Sequence, residues 1–406
     1  MQRFTRQHDA QGITAPTGFR AAGLHCGIKK PKLLDLALVV SERSGPIAGV
    51  FTRNRVVAAP VVIDRYHLRN GSGRAILVNS GNANACTGQP GLLAAIQTAS
   101  RLARLLGIPT HEVFIGSTGV IGRALPVDRI LKALPALVTH LSFRGGASAA
   151  RAILTTDLTP KSVARRARIN GKIVTIGGMA KGSGMIHPDM ATMLAYLTTD
   201  AAIARPALQQ ALTQAVNASF NCISVDGDTS TNDTVLCLAN GMAGNSQIKE
   251  GTAGFRQFAR LLLEACEPLA LAICRDGEGV TKVVKIEVTG AGSRPQAQAV
   301  AKTIGTSNLV KTALFGEDAN WGRVMAALGR AGVPLNPTKV SLSFGGVPMV
   351  RKGVGLGLGA ERRIAKVFQR KEFTIRVGLG QGVHHAHLWT TDLSYDYVRI
   401  NASYRS

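Results

Sequence analysis

The apolar positions of this chain recur with two periods, and together they predict a fold built from both strands and helices. Short apolar runs predict buried strands at 33–40, 48–51, 74–78, 112–115 and 283–288. Helical periodicity predicts helices at 91–106, 126–141, 147–154, 205–220 and 254–274. The C-terminal third alternates between apolar and polar residues over 339–350 and 372–400, which predicts further strands. Because hairpins and helices are both plentiful, the sequence predicts a mixed α/β (α+β) fold with mainly antiparallel sheets.

A glycine-rich stretch near the middle of the chain is where the candidate chemistry lies. Asn170-Gly171, the strongest short hairpin signal in the sequence, joins strand-like runs at 162–169 and 172–176. The second run leads into Lys-Gly-Ser-Gly-Met-Ile-His-Pro-Asp-Met-Ala-Thr-Met-Leu at 181–194, whose end is again typical of a buried strand. The sequence therefore predicts a loop that is held by sheet on both sides.

A threonine that follows small residues on such a loop can attack its own preceding peptide bond. Small residues and glycine let the hydroxyl of Thr192 approach the carbonyl of Ala191, because glycine adopts backbone angles that other residues avoid. The attack gives an ester, and hydrolysis of the ester leaves Thr192 as a new N-terminus. Its α-amine, with an ordinary pKa of about 7.7–8.0, can then act as base for the same hydroxyl. On spacing alone, a turn that enters a buried strand is the simpler interpretation.

The charge of the chain is strongly basic, and it changes the list of partners to consider. The 48 lysines and arginines against 24 acidic residues give a formal net charge of +24 and a pI of about 10.5. Many nucleic-acid-binding proteins have this profile. The basic residues are dispersed, aromatic residues are only 5%, and no nucleic-acid-binding motif is present, so no specific nucleic-acid partner is expected. A field of this sign would help to steer an acidic substrate.

The cysteines and the apolar runs indicate a cytoplasmic protein. Six cysteines are scattered without a Cys-x-x-Cys pair, which favours reduced thiols. The first residues lack the apolar core of a signal peptide, and no apolar run is long enough to span a membrane, so no membrane partner is expected.

Two polar clusters could hold a metal ion, but neither has a complete set of ligands. Asp226, Asp228 and Asp233 are hard-cation ligands by type, yet the glutamate that would close an EF-hand loop is missing. His385 and His387 point to one face of a strand-like run with no third ligand near them in the sequence. No metal and no cofactor are expected.

Several separated motifs resemble those of one family. Besides the stretch at 181–194, they are Asn-Ser-Gly-Asn-Ala-Asn at 79–84, Gly-Ser-Thr-Gly-Val-Ile-Gly at 116–122, Asp-Gly-Asp-Thr-Ser-Thr-Asn-Asp at 226–233, Gly-Glu-Gly at 277–279 and the tail Asn-Ala-Ser-Tyr-Arg-Ser at 401–406. Together they resemble the ornithine acetyltransferase (glutamate N-acetyltransferase) family of arginine biosynthesis, over essentially the whole chain from Gly12 onward. One departure is Asp189, where the family is expected to have asparagine, and its negative charge bears on the rate of self-cleavage.

The resemblance implies roles for particular residues. Thr192 is the expected nucleophile, Thr118 and Gly119 are the expected oxyanion donors, and the chain is expected to break between Ala191 and Thr192. The expected substrate contacts are Thr155, Lys181, Thr192, Glu278, Asn401 and Ser406. Of these, Lys181 would bind an α-carboxylate and Glu278 the ammonium group of ornithine.

The implied reaction moves an acetyl group from N-acetylornithine to glutamate through an acetyl ester of Thr192, with acetyl-CoA as a further candidate co-substrate. The implied fold is a layered α-β-β-α sandwich of the kind expected for DmpA and the ornithine acetyltransferases. Cleavage would give an α chain of residues 1–191 and a β chain of residues 192–406, which would stay associated, at least as α2β2.

Two alternatives from other classes stay open at this point. One is an amidase or aminopeptidase with an N-terminal nucleophile, which would share the self-cleavage but use water as acceptor. The other is an uncleaved basic protein that binds nucleic acid, which predicts an intact chain and binding that salt weakens.

Overall fold

The computed structural model describes residues 12–187 and 193–403. The strands of its first part are β1 (Phe19–Leu24), β2 (Leu36–Phe51), β3 (Ser72–Asn82), β4 (Val113–Val120), β5 (Lys161–Ile169), β6 (Lys172–Lys181), β7 (Leu194–Thr199) and β8 (Thr234–Ala239). The helices of this part are α1 (Ala59–His67), α2 (Gly88–Leu106), α3 (Val127–Thr139), α4 (Gly146–Ala152), α5 (Arg205–Ala218) and α6 (Ala253–Arg275). The predicted helices therefore form where the apolar periodicity places them.

These strands form a sheet that folds over on itself. Its order is β4-β3-β2-β8-β7-β6-β5, with β1 paired to β2. The ladders β3–β4 and β7–β8 are parallel, whereas the other pairs in this sheet are antiparallel. Antiparallel pairing therefore predominates, as the sequence predicts.

Strand β2 corrects one prediction. The sequence predicts two strands, at 33–40 and 48–51, but the structure has one continuous strand over Leu36–Phe51. Its first half pairs with β1 and β3, its second half pairs with β8, and the register with β3 shifts between Val40 and Gly45. The polar residues 42–44 lie at this transition, which is why the apolar pattern is interrupted although the strand is not.

Apolar side chains fill the space between the two halves of the sheet. Phe19, Ile76 and Phe114 from one half meet Tyr196 and Leu236 from the other, and all of them are buried. Helices α2 and α3 cover the outer face of the first half, and α5 and α6 cover the outer face of the second. This layering confirms the α-β-β-α sandwich, because each sheet must bury one face against the other and one against helices.

The C-terminal part forms a second sheet with its own core. Its strands are β9 (Val283–Ala291), β10 (Ser341–Phe344), β11 (Val347–Arg351), β12 (Val354–Gly355), β13 (Glu372–Gly378) and β14 (His384–Thr391), in the order β12-β11-β10-β13-β9-β14. Its helices are α7 (Arg294–Gly305), α8 (Asn308–Phe315), α9 (Trp321–Gly329), α10 (Leu358–Phe368) and α11 (Tyr395–Ser403), and side chains of α7–α10 pack with the sheet in one hydrophobic core.

Helix α11 shows that the strand prediction for 372–400 was wrong at its end. The hydroxyl of Ser394 accepts a hydrogen bond from the Tyr397 N–H at 3.1 Å, so a serine side chain satisfies one of the free N–H groups of the first turn.

None of the helices in the described ranges has the length and apolarity needed to cross a lipid bilayer.

Candidate active site

The loop predicted to carry the scissile bond leaves and re-enters the sandwich at neighbouring positions. Strand β6 ends at Lys181, β7 begins at Leu194, and these two residues are paired in an antiparallel ladder. The prediction that sheet holds this loop on both sides is therefore confirmed. Ala191 and Thr192, like Asp189 and Ser406, lie outside the described residues.

A pocket with an empty volume of about 590 Å³, its mouth included, lies beside the described start of this loop. Predicted site residues from separate parts of the chain line it, namely Thr118, Gly119, Thr155, Lys181, Glu278 and Asn401. The structure thus brings together all the predicted site residues that it describes.

The predicted oxyanion donors lie at the carboxyl end of β4. Thr118 is buried, and Gly119 has φ +131°, a conformation that side chains rarely adopt. A Cβ at Gly119 would lie 2.4 Å from the carbonyl carbon of Gly81 on the parallel strand β3, so only glycine fits there. The packing of β4 against β3 therefore requires glycine at position 119, independently of any catalytic role.

Asn232 supports the same edge of the sheet, although no feature of the sequence distinguishes it from its neighbours in the motif at 226–233. Its side-chain amide donates hydrogen bonds to the Ala83 carbonyl at 2.7 Å and to the Ser117 carbonyl at 2.9 Å. It therefore ties the ends of β3 and β4 to the segment that precedes β8. Asn232 also lines the pocket.

Lys181 and Lys161 flank a buried carboxylate, Asp157. The Lys181 ammonium lies 3.8 Å from Asp157 Oδ2, and the Lys161 ammonium donates to Oδ1 at 2.7 Å. Burial alone would raise the pKa of Asp157, but the two ammonium groups and the Gly182 N–H hold it well below its usual value. Burial lowers the pKa of Lys181, and Asp157 opposes that shift.

The carboxylate of Asp157 also fixes the start of the loop and one wall of the pocket. Its oxygens accept hydrogen bonds from Gly182 N at 2.7 Å and from Thr155 N at 3.1 Å. Lys161 is tied in turn to Asp276 at 2.6 Å. The sequence analysis did not single out Asp157, Lys161 or Asp276. A lysine on a strand is ordinarily exposed, so the sequence did not indicate that Lys161 would form buried ion pairs with two aspartates.

Glu278 also lines the pocket and is buried. Its Oε2 accepts a hydrogen bond from the Asn401 side chain at 2.9 Å, and its N–H donates to the Ser183 carbonyl at 3.1 Å. A Cβ at Gly184 would lie 2.4 Å from Glu278 Oε2, so this glycine lets the carboxylate approach the loop backbone. The pocket is therefore lined by both a cation, Lys181, and a carboxylate, Glu278.

A layered α-β-β-α sandwich that carries these groups around a glycine-rich loop with a threonine defines a candidate acyl-transfer enzyme of the N-terminal-nucleophile class. The chain belongs to the ArgJ family, whose model matches residues 20–406. The resemblance noted from the motifs is thereby confirmed.

Several known proteins are similar to this chain. The arginine biosynthesis bifunctional protein ArgJ of Symbiobacterium thermophilum is 49% identical over 399 residues, which cover 98% of this chain and 99% of the relative. The protein of the same name from Geobacter sulfurreducens is 48% identical over 389 residues, covering 96% and 99%. Among solved structures, ornithine acetyltransferase complexed with ornithine from Mycobacterium tuberculosis is 43% identical, with a TM-score of 0.40, covering 44% of this chain and 95% of the solved chain.

Proposed function

We propose that this chain is a self-processing acetyltransferase of arginine biosynthesis, which moves the acetyl group of N-acetylornithine to glutamate through an acetyl ester of Thr192. Membership of the ArgJ family supports the class of reaction. The observation that carries the proposal is the single pocket that joins Thr118, Gly119, Lys181 and Glu278 beside the loop.

Processing needs one nucleophilic step and one hydrolysis. The Thr192 hydroxyl attacks the Ala191 carbonyl carbon, the peptide C–N bond breaks, and the α-nitrogen of Thr192 takes up a proton. The resulting ester between Ala191 and the Thr192 oxygen is hydrolysed by water. The products are a free carboxylate on Ala191 and a free amine and hydroxyl on Thr192, which makes this residue both nucleophile and base.

Acetyl transfer then proceeds in two halves. The Thr192 oxygen attacks the acetyl carbonyl of N-acetylornithine while the α-amine takes the hydroxyl proton, and ornithine leaves when its nitrogen receives that proton. The amine of glutamate attacks the acetyl ester in the second half and regenerates the hydroxyl. The Thr118 hydroxyl and the Gly119 N–H would stabilise the oxyanion of each tetrahedral intermediate, and the exchange predicts ping-pong kinetics.

Charge complementarity suggests how the pocket would orient its substrates. Both the donor and the acceptor carry an α-carboxylate, for which Lys181 is the nearby cation on the β6 side of the pocket. Glu278 would pair with the ammonium group of ornithine, while Thr155 and the tail residues Asn401 and Ser406 would add hydrogen bonds. A cation and a carboxylate in one pocket match the α-carboxylate and the ammonium group of N-acetylornithine.

A second acetyl donor and an assembly complete the proposal. The similar proteins carry the name bifunctional, which supports acetylation of glutamate from acetyl-CoA as a second activity.

The chains 1–191 and 192–406 are expected to stay associated, as α2β2, in the cytoplasm. The pairing of β6 with β7 supports their association, because these strands belong to different chains after cleavage.

The experiment that tests the proposal is the intact mass of freshly purified protein under denaturing conditions, beside the Thr192→Ala variant. Two species that break between Ala191 and Thr192, absent from the variant, are expected. A single full-length mass from folded wild-type protein would overturn self-processing and would favour the nucleic-acid-binding alternative. In processed enzyme, rapid loss of acetyl without glutamate would instead identify an amidase.

A further inference from the structure

The loop between β1 and β2 holds Lys29 in a fixed position. The buried carboxylate of Asp35 accepts hydrogen bonds from Ile28 N at 2.8 Å and from Lys29 N at 2.9 Å. It also accepts one from Cys26 N at 2.6 Å, and its charge acts on the Lys29 ammonium group. Three backbone N–H groups that converge on one carboxylate fix the course of the loop. The fold therefore determines where the Lys29 side chain lies.

The stem of Lys29 packs at the edge of the sheet where the predicted oxyanion donors lie. Gly81 pairs with Gly119 in the parallel ladder between β3 and β4. A Cβ at Gly81 would lie 2.9 Å from Lys29 Cγ, so the lysine stem covers the glycine that is paired with Gly119.

The ammonium group of Lys29 reaches the segment that carries Thr155. It donates a hydrogen bond to the Leu154 carbonyl at 2.9 Å, one residue before Thr155, which lines the pocket. The charges of Asp157 and Lys181 also act on Lys29, and Lys181 lines the same pocket. Lys29 is therefore a second ammonium group beside the pocket, in addition to Lys181.

The two substrates of the proposed reaction differ in net charge, and one pocket has to accept both. N-acetylornithine carries one carboxylate and one ammonium group, whereas glutamate carries two carboxylates. If both bind with the α-carboxylate at Lys181, the side-chain carboxylate of glutamate takes the place of the ornithine ammonium, beside Glu278. The two like charges repel each other there, and a further cation close to the pocket offsets that repulsion.

We infer that Lys29 is a specificity-determining residue for the acceptor, whose ammonium group favours a dicarboxylic amino acid at the acetylated enzyme. The inference rests on the proposed function, because it concerns the acceptor of that reaction. Lys29 is not among the described residues that line the pocket, so its charge acts on the acceptor through space. Glutamine has an amide where glutamate has its second carboxylate, which makes these two amino acids a matched pair of acceptors.

The test compares both acceptors in Lys29→Met, which keeps an apolar stem and carries no charge. We expect kcat/KM for glutamate to fall about 10-fold, whereas kcat/KM for glutamine and for N-acetylornithine should change less than about twofold. In a ping-pong reaction, kcat/KM for the acceptor reports the second half-reaction alone. Lys29→Arg keeps the charge and should retain the preference for glutamate. Lys30→Met removes a charge from the exposed neighbouring residue and should behave like wild type.

A wild-type ratio of kcat/KM between glutamate and glutamine in Lys29→Met would overturn the inference and leave the proposed function intact. Equal losses with both acceptors and with N-acetylornithine would also overturn it, because they would show that Lys29 only holds the loop in place. Lys29→Gln keeps an N–H donor for the Leu154 carbonyl and provides the same comparison if Lys29→Met does not fold. A wild-type enzyme that fails to transfer acetyl to glutamate would instead overturn the proposed function.

Discussion

The side chain of Asn401 donates a hydrogen bond to Glu278 Oε2 at 2.9 Å, so helix α11 reaches a pocket residue 123 positions away in sequence. The backbone of Gly279 approaches the backbone of Tyr397 closely, and this approach makes the contact possible. A Cβ at Gly279 would lie 2.3 Å from Tyr397 N, and Gly279 has φ +64°. The Gly-Glu-Gly motif therefore positions the glutamate and also admits the C-terminal helix beside it.

Replacement of Glu278 tests the charge on that wall of the pocket. Glu278→Gln keeps a carbonyl oxygen for Asn401 but removes the negative charge, so we expect KM for N-acetylornithine to rise about 10-fold, as for loss of a hydrogen bond to a charged group. Steady-state kinetics with varied acetylornithine provide the measurement, and Asp396→Asn on the exposed side of α11 is the control. An unchanged KM would show that Glu278 does not bind the ornithine ammonium.

Replacement of Thr118 tests the oxyanion donors. Thr118→Ala should lower kcat about 100-fold with little change in KM, because an oxyanion donor acts on the transition state more than on the bound substrate. Thr118→Ser keeps the hydroxyl and should retain most of the activity. If serine and alanine at position 118 were equally impaired, the loss would come from packing at the end of β4 rather than from the hydroxyl.

Replacement of Asp157 tests the buried charge network through stability. Asp157→Asn leaves Lys161 and Lys181 without their shared carboxylate, and breaking a buried pair in this way costs about 3–5 kcal/mol in the free energy of unfolding. Urea unfolding should be measured in a Thr192→Ala background, in which the chain stays single. Arg399 and Asp396 form an exposed ion pair, so Asp396→Asn should cost far less.

The difference in the free energy of unfolding between wild type and Asp157→Asn should depend on pH, and the direction follows from the lowered pKa of Asp157. The pKa of Asp157 is lower in the folded chain than in the unfolded chain, whose aspartates titrate near 3.9. Its stabilisation is therefore fully present above that pH and is lost as the pH falls toward the folded-state pKa. The stability gap between wild type and Asp157→Asn should narrow below about pH 4, and a constant gap would contradict the ionic interpretation.

The contribution of Asp64 to the stability of the fold should depend on pH in the opposite direction. It is fully buried in α1, its Oδ1 accepts a hydrogen bond from Ile115 N at 2.8 Å, and burial raises its pKa well above the usual value. The unfolded chain ionises first, so stability falls as the pH rises from about 4 toward the folded-state pKa. Asp64→Asn cannot ionise and should raise Tm at pH 7 but not at pH 4, as measured by thermal unfolding. An equal Tm difference at both pH values would exclude this origin, and Asp228→Asn is the matched control.

Local signals in the sequence predicted the mixed α/β elements and the mainly antiparallel pairing, whereas the layered sandwich followed only from the family resemblance. Apolar runs and the Asn170-Gly171 turn fix the elements, and the loop between β6 and β7 follows from the hairpin that precedes it. The motifs located Thr118, Lys181 and Glu278, which the structure gathers in one pocket. Their catalytic roles stay predictions that the variants above address.

The buried polar contacts could not be predicted, because they depend on distances between remote segments. Lys161 meets Asp276 across 115 positions, and only the folded chain makes a buried lysine acceptable there. From the sequence, Asp226 and Asp233 were considered only as part of an incomplete set of ligands for a hard cation. Their hydrogen bonds to Met185, Ile186 and Met193 give them a specific position, at the two sides of the loop.

The pairing of β6 with β7 would make refolding of this protein depend on whether the proposed cleavage has taken place. Before cleavage, one chain brings both strands together in a unimolecular reaction. After cleavage, the same ladder from Ile176–Thr199 to Lys181–Leu194 joins two molecules, and renatured halves must find each other at a rate that depends on concentration. Each separated half would expose an unpaired strand edge, which favours aggregation. Under the proposed cleavage, the processed enzyme would therefore depend on slow unfolding rather than on ready refolding, as proteins matured from a precursor do.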